Sequence, residues 1–417
     1  MYMSVISELR MRPATAQSPR WDASRRTRLG LTVVVLATLL VGANLATPLY
    51  PLIRANLGLS AFDTTVAFSA YVLTLVAGLL LVGHWSDHIG RRAALVLAVL
   101  TGVVGVVVFG TATSLPMLVL GRCLQGAAVA CATGASSAAL RDLLPHRPEW
   151  ASRFTLVASA GGVAAGPIVG GLLSLLPEPT RVPFGIYAVF LALLLIPLVR
   201  LDARPAIKPA LPARPLSALK PRRPAVSRTA RRAFWSAAAV GFLSFAVFGF
   251  SLSLAPTYVT AMAGEVSRPL VGVLAGLVLA VSAASQLFPQ GAAKPAQAGA
   301  VGLLIMAGGV ALVPLAGSVG SVSLFVAALV LAGAGQGIAF RILFNAVAQQ
   351  VEGSQHAQII STVYVITYLG SAVPVLGLGL AVDALGLMTA VTFFSAVIAA
   401  ACVGMAIYLR RSAASKA

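Results

Sequence analysis

Acidic residues are scarce in this chain of 417: 11 Asp and Glu stand against 30 Lys and Arg, and charged residues of either sign make up only 10%. So little charge, with 59% hydrophobic residues and a mean hydropathy of +0.93, excludes an ordinary soluble domain. Cysteine is almost absent. Cys123 and Cys131 share one apolar stretch and Cys402 lies in the last, which supplies neither a disulfide framework nor metal-ligand spacing. The four histidines, His84, His88, His146 and His356, all fall in polar gaps. His84 and His88 are four apart, but the neighbourhood offers no further ligands, so no metal site is expected. No nucleotide-binding motif and no catalytic constellation can be found, so neither an enzyme nor a cofactor is expected.

What is present is a series of twelve apolar stretches: 31–53, 62–83, 93–112, 115–140, 154–176, 182–199, 234–257, 270–290, 297–317, 321–347, 357–381 and 386–409. At 1.5 Å of rise per residue each is long enough to cross a hydrocarbon core of about 30 Å. Runs this long and apolar are helices, because lipid leaves no other partner for the backbone. An all-α polytopic membrane protein follows. Threading the chain back and forth puts 25 of the 30 basic residues on the side that holds both termini, with 7 acidic ones. The other side holds Arg54, Arg181 and Arg268 against Asp63, Glu178, Glu265 and Asp383. Basic loops stay cytoplasmic, so both termini are expected inside. Trp21, Trp85, Trp150 and Trp235 fall on the same boundary, where indole favours the headgroup layer. The pI near 11 is thereby explained without nucleic acid as a partner. Residues 1–30 form a basic tail leading into an uncleaved first span.

Residues 200–233 interrupt the pattern. The segment is rich in Pro and Arg, carries 10 of the 30 basic residues and has no apolar period, so it reads as a cytoplasmic linker. It would anchor topology and attract anionic headgroups, or serve regulation. It separates two six-helix bundles, 31–199 and 234–409, and 410–417 form a short cytoplasmic tail. The halves look like repeats. Gln125-Gly126 in the fourth span precedes Pro167 and Gly170 in the fifth; Gln336-Gly337 in the tenth precedes Pro374 and Gly377 in the eleventh. Parallel six-span repeats place a transport site at their interface.

The second cytoplasmic gap reads Gly83-His84-Trp85-Ser86-Asp87-His88-Ile89-Gly90-Arg91-Arg92. Gly83 and Gly90 permit a tight connection and an unusual backbone angle, Asp87 suits a helix N-terminus, and Arg91 with Arg92 suits an anionic surface. The segment resembles the G-x-x-x-D-R-x-G-R-R signature of the major facilitator superfamily, with His88 where the family has Arg. In that family the loop latches the two halves at the cytoplasmic face and favours the outward-facing state. The resemblance implies that Asp87 contacts the start of the eleventh span near Gln355 to Gln358. The equivalent loop of the second half, Gly291 to Ala296, lacks the acidic and double-Arg pattern.

In the fifth span, Gly162, Gly166, Pro167, Gly170 and Gly171 make a string of small residues that lets backbones meet, with a proline that allows a bend. The string resembles the motif of the superfamily's exporting antiporters, which implies efflux. Arg122 and Gln125 lie in the fourth span. A permanent charge inside a span costs at least about 2.5 kcal/mol, so it faces a cavity, meets a partner or snorkels out. Arg122 resembles the family's R-x-x-q-G arginine, implicated in proton coupling. Arg341 in the tenth span matches no general motif; it contacts substrate or snorkels to the cytoplasm. Polar candidates for a central cavity are Asn44, Thr47, Tyr71, Gln286, Asn345, Tyr364 and Tyr368, each of which could instead make an interhelical hydrogen bond. Pro48 and Pro51 should disturb the first helix. No carboxylate falls in the middle of any span, and Asp63 suits a capping box with Ser60. Cationic substrates are thus disfavoured.

The expectation is a monomeric twelve-span secondary transporter of a bacterial inner membrane, exporting a small, largely apolar, neutral or anionic compound in exchange for protons. A proton-independent facilitator or importer of a small anionic metabolite is the first alternative. A non-transporting receptor or scaffold is the second.

Overall fold

The computed structural model describes residues 23–82, 85–200, 231–287, 295–350 and 356–414. Twelve of its helices or helix pairs are long and apolar enough to cross a membrane, and they coincide with the twelve expected spans. Helix ends differ by a few residues, and three spans are broken within. The first comprises α1 (Arg25–Asn44), a 3-10 turn (Thr47–Leu49) and α2 (Tyr50–Leu57). Pro48 and Pro51 explain the break, since neither can donate the N–H a continuous helix needs. The second span, α3 (Ala61–Leu81), is followed by the short α4 (Ser86–Ile89), then α5 (Arg91–Gly110), α6 (Leu115–Leu143) and α7 (Pro148–Leu173). The sixth span divides at Leu194 into α8 (Val182–Leu193) and α9 (Leu195–Arg200). In the seventh, α10 (Arg231–Ser253) gives way at Leu254 to α11 (Ala255–Ala263), with Pro256 in the first turn of α11. The remaining helices are α12 (Arg268–Ser285), α13 (Pro295–Val319), α14 (Val322–Gln350), α15 (His356–Leu385) and α16 (Leu387–Ala414). No strand occurs among the described residues.

The described residues fall into two compact units. The described residues of 1–44, 73–166 and 176–222 form one, and those of 45–72, 167–175 and 223–417 the other. Within the first, α6 packs on α5 and α1, and α8 on α5. Within the second, α14 packs on α13 and α10, and α16 on α13. These are the same pairings of spans three with four, one with four and three with six, repeated six spans later.

Helices in lipid gain little from hiding apolar surface from one another, so contact depends on how closely their backbones can approach. Glycine provides that approach here. A Cβ at Gly121 would lie 2.8 Å from the Phe109 nitrogen, and one at Gly302 would lie 2.8 Å from the Gly335 oxygen. Large apolar side chains are left exposed, among them Val157, Val189 and Phe393, as a lipid-facing surface would require.

Candidate functional site

The glycine string of α7 is a contact surface along its whole length. A Cβ at Gly162 would stand 2.7 Å from the Ala37 oxygen, and one at Gly166 2.6 Å from the Asn44 Cβ, both on α1. A Cβ at Gly170 would run into the Leu45 carbonyl, and one at Gly171 would lie 2.7 Å from the Arg268 oxygen. Pro167 sits inside the helix and its carbonyl meets Gly272 of α12. Gly161, one residue before the string, has open space where its Cβ would be.

Arg122 is buried in α6. It donates to the Ala43 carbonyl and, at 2.8 Å, to the side-chain oxygen of Gln125. Ala43 stands in the last turn of α1, where the end of the helix leaves carbonyls without helical partners. The guanidinium therefore caps a helix C-terminus, where positive charge is favoured. Outward snorkelling is excluded. The break that Pro48 makes also accounts for Asn44 and Thr47, both expected in the cavity. Each is buried in protein, and the Asn44 amide donates back to Leu40 at 2.9 Å.

Arg341 repeats the device. It is half-buried in α14 and donates to the backbone oxygen of Gln286 at 2.7 Å, at the C-cap of α12. The Gln286 amide turns back to the Ser282 hydroxyl at 3.2 Å. Asn345, one turn beyond Arg341, is exposed.

In the loop, Gly90 has φ +92, a value that requires glycine, and it caps α5. Asp87 pairs with Arg91 at 2.5 Å, and Arg91 reaches Asp142 at 3.0 Å and the Ser86 hydroxyl at 2.7 Å. Of the two arginines expected at the headgroups, Arg92 is instead buried: one residue on from Arg91, it turns into the bundle. Gly83, Gln355 and Gly291 to Lys294 lie outside the described residues, as do the side chains of His88 and His356 to Gln358, so the expected contact of Asp87 lies there too.

One face of α15 carries what the sequence did not suggest. Asp383, at its end, accepts hydrogen bonds from the backbone N–H groups of Ala61 and Phe62, both at 3.0 Å, at the N-terminus of α3. Ser60 and Asp63 complete that terminus with the expected capping box, at 2.9 and 3.1 Å. Towards the other end of α15, a Cβ at Gly379 would lie 3.0 Å from the Phe62 Cα, and Ser69 donates to the Ala372 carbonyl at 3.4 Å. Tyr368 follows on the same face, within electrostatic reach of the buried Tyr71 of α3.

Beyond this point the face carries a wall of half-buried rings. Tyr368 meets Phe245 edge-on with centroids 5.2 Å apart, and Phe245 lies 5.3 Å from Phe248 and 6.4 Å from Phe340. Phe340 stacks on Phe344 at 5.4 Å, and Phe344 meets Tyr364 at 5.1 Å. Tyr71, Tyr364 and Tyr368 are thus brought together, while Asn44, Thr47 and Arg122 belong to the packing around the break in span one. The four phenylalanines were missed. Their signal was the pairing of aromatic residues at helical spacing, 245 with 248 and 340 with 344, which apolar spans conceal.

Comparison with known proteins bears on the same architecture. The chain is 31% identical over 156 residues to the tetracycline resistance protein, class E, of Escherichia coli, a match covering 36% of this chain and 37% of that one. It is 28% identical over 166 residues to multidrug resistance protein 1 of Bacillus subtilis, covering 38% and 42%. The matches thus span only about two fifths of these relatives. Among solved structures, a bacterial homologue of the human lysosomal transporter Spinster, inward-facing and unoccupied, superposes with a TM-score of 0.71 at 17% identity, covering 94% of this chain and 95% of that one. The nucleoside transporter NupG superposes with a TM-score of 0.72 at 12% identity, covering 92% and 99%. At such identities the likeness is one of fold. The family model of the major facilitator superfamily matches residues 32–373, most of the chain, and the protein is a multi-pass membrane protein belonging to that superfamily.

Proposed function

We propose that the protein is a secondary exporter of a small, largely apolar, neutral or anionic compound, exchanged for protons by alternating access. The halves 31–199 and 234–409 rock about a midplane site, with the 200–233 linker and both termini on the cytoplasmic side of a bacterial inner membrane. The observation that carries this reading is the α15 face. It is closed against α3 from Asp383 to Ala372 and then opens into half-buried rings from three helices, the arrangement of a binding wall under a seal. Export rather than uptake is supported by the α7 glycine string and by relatives named for tetracycline and multidrug resistance. The anionic-metabolite facilitator loses its main argument, because Arg122 and Arg341 are both engaged with helix-end carbonyls.

The test is proton movement in proteoliposomes loaded with a pH dye, across neutral, anionic and cationic aromatic compounds. Substrate-dependent proton flux is expected for neutral or anionic ones. Movement of labelled compound with no proton flux would select the facilitator, and no movement of any compound under any gradient would point to a non-transporting receptor.

A further inference from the structure

The outer surface of the second unit has a groove of about 460 Å³ between α10, α15 and α16, a size within the range of ligand pockets. Ala238, Phe242, Ile366 and Gly404 line it, with Trp235 and Tyr408 at one end. Gly404 has no atom within 4 Å of its absent Cβ, so the groove is open there. Its floor is closed. Gly241 would collide with Thr367 and Gly370 with the Phe242 backbone if either had a Cβ, so α10 and α15 meet without a gap. At these two positions the groove has no opening towards the ring wall.

The end of the groove is strongly basic. Arg232 lies 5.8 Å from the centroid of Tyr408, Arg231 precedes it, and Arg411 stands one helical turn after Tyr408 with Arg410 beside it. All four are exposed. Trp235 and Tyr408 are the amphipathic rings that settle at headgroup depth. An apolar slot running to a pair of interfacial rings beneath paired arginines fits the chemistry of an acyl chain attached to a phosphate.

We propose that this groove is a resident site for one anionic phospholipid, its chain along Gly404 and Phe242 and its phosphate between Arg232 and Arg411. The site is independent of the transported compound. It would couple the starts and ends of spans seven and twelve to the composition of the inner leaflet.

The experiment uses the full chain in detergent, titrated with phosphatidylglycerol, with phosphatidylcholine of the same chains, and with inorganic phosphate alone. Retained lipid is counted by native mass spectrometry, and thermal unfolding is followed in parallel. Phosphatidylglycerol should be retained as one tight copy and should raise Tm more than phosphatidylcholine. The double variant Arg232→Gln, Arg411→Gln should lose most of that preference, about fivefold for each arginine. Gly404→Leu fills the slot from an open, lipid-facing position that a leucine suits, and should lose the retained copy of either lipid while the protein stays folded. Equal retention of the two lipids, a preference that survives both variants, or the same Tm shift from inorganic phosphate alone overturns the proposal.

Discussion

Replacing Asp383 by alanine should loosen the junction of α3 with α15, and the size of the effect can be worked from the geometry. The carboxylate accepts two backbone N–H groups at 3.0 Å each, at a helix N-terminus. Removing a capping side chain costs about 0.5–2 kcal/mol, and losing negative charge near the helix dipole adds about 0.3–1 kcal/mol when exposed. Asp383 is exposed, so water replaces part of what is lost; Ala61, fully buried, is served less well. A net of about 1–2 kcal/mol corresponds to a shift of about 5–30-fold in an open–closed equilibrium. Ser69 reports on it, since it is buried and bonded to the Ala372 carbonyl. With Cys123, Cys131 and Cys402 replaced, Ser69→Cys would be labelled by an impermeant maleimide added to the side opposite the basic loops. The labelling rate should rise by that factor in Asp383→Ala. It should rise less in Asp383→Asn, which keeps one acceptor oxygen. A rate within twofold of the parent in a well-folded Asp383→Ala protein would refute the assignment of Asp383 as a tie.

Adjacent glycines of α7 should behave oppositely. Gly162→Ala puts a methyl 2.7 Å from the Ala37 oxygen and should lower Tm and transport, at an overpacking cost of about 1–3 kcal/mol. Gly161→Ala meets open space and should be neutral or gain up to about 1 kcal/mol of helix propensity, so equal losses at both positions would count against the contact argument. Arg122→Ala leaves the Ala43 carbonyl and Gln125 without their donor, each worth about 1–3 kcal/mol when buried, and should destabilise more than Arg122→Lys in thermal unfolding. If Arg122 also couples protons, Arg122→Lys should keep most of the stability and lose proton flux; unchanged flux would leave it a cap alone.

Hydropathy made the spans legible, because lipid demands that every backbone group be satisfied within the segment, and twelve runs long enough to do so could not be overlooked. Proline made the break in span one legible, since the missing N–H at Pro48 and Pro51 is local. The partners of charged groups were not legible. Arg122 reads as an isolated charge along the chain, yet its acceptor is a carbonyl 79 residues away, exposed only because α1 ends there. Asp383 reads as one acidic loop residue among four, and its role depends on a pairing across 322 positions. The ring wall was invisible for another reason. Phenylalanine in an apolar span is the default filling of a lipid-facing or packed surface, and only convergence from three helices gives Phe245, Phe340 and Tyr368 a common purpose.

The tie at Asp383 has a counterpart that can be tested against it. Asp383 stands at the end of α15 and caps the start of α3. Asp87 follows the end of α3, and from the superfamily resemblance we propose that it holds the start of α15. Each of these helices would then carry, at its far end, the carboxylate that holds the other, one tie at each membrane face. Alternating access requires that only one face be closed at a time, so the two ties oppose each other in setting the equilibrium. Losing the cytoplasmic tie in Asp87→Asn should favour closure of the opposite face and slow the labelling of Ser69→Cys. Asp383→Asn should speed it, and the double variant should return towards the parent rate. Both single variants should transport more slowly than the parent, because each traps one face. Labelling that rises in Asp87→Asn, or effects that add rather than cancel in the double variant, would mean that the two carboxylates do not act on one equilibrium.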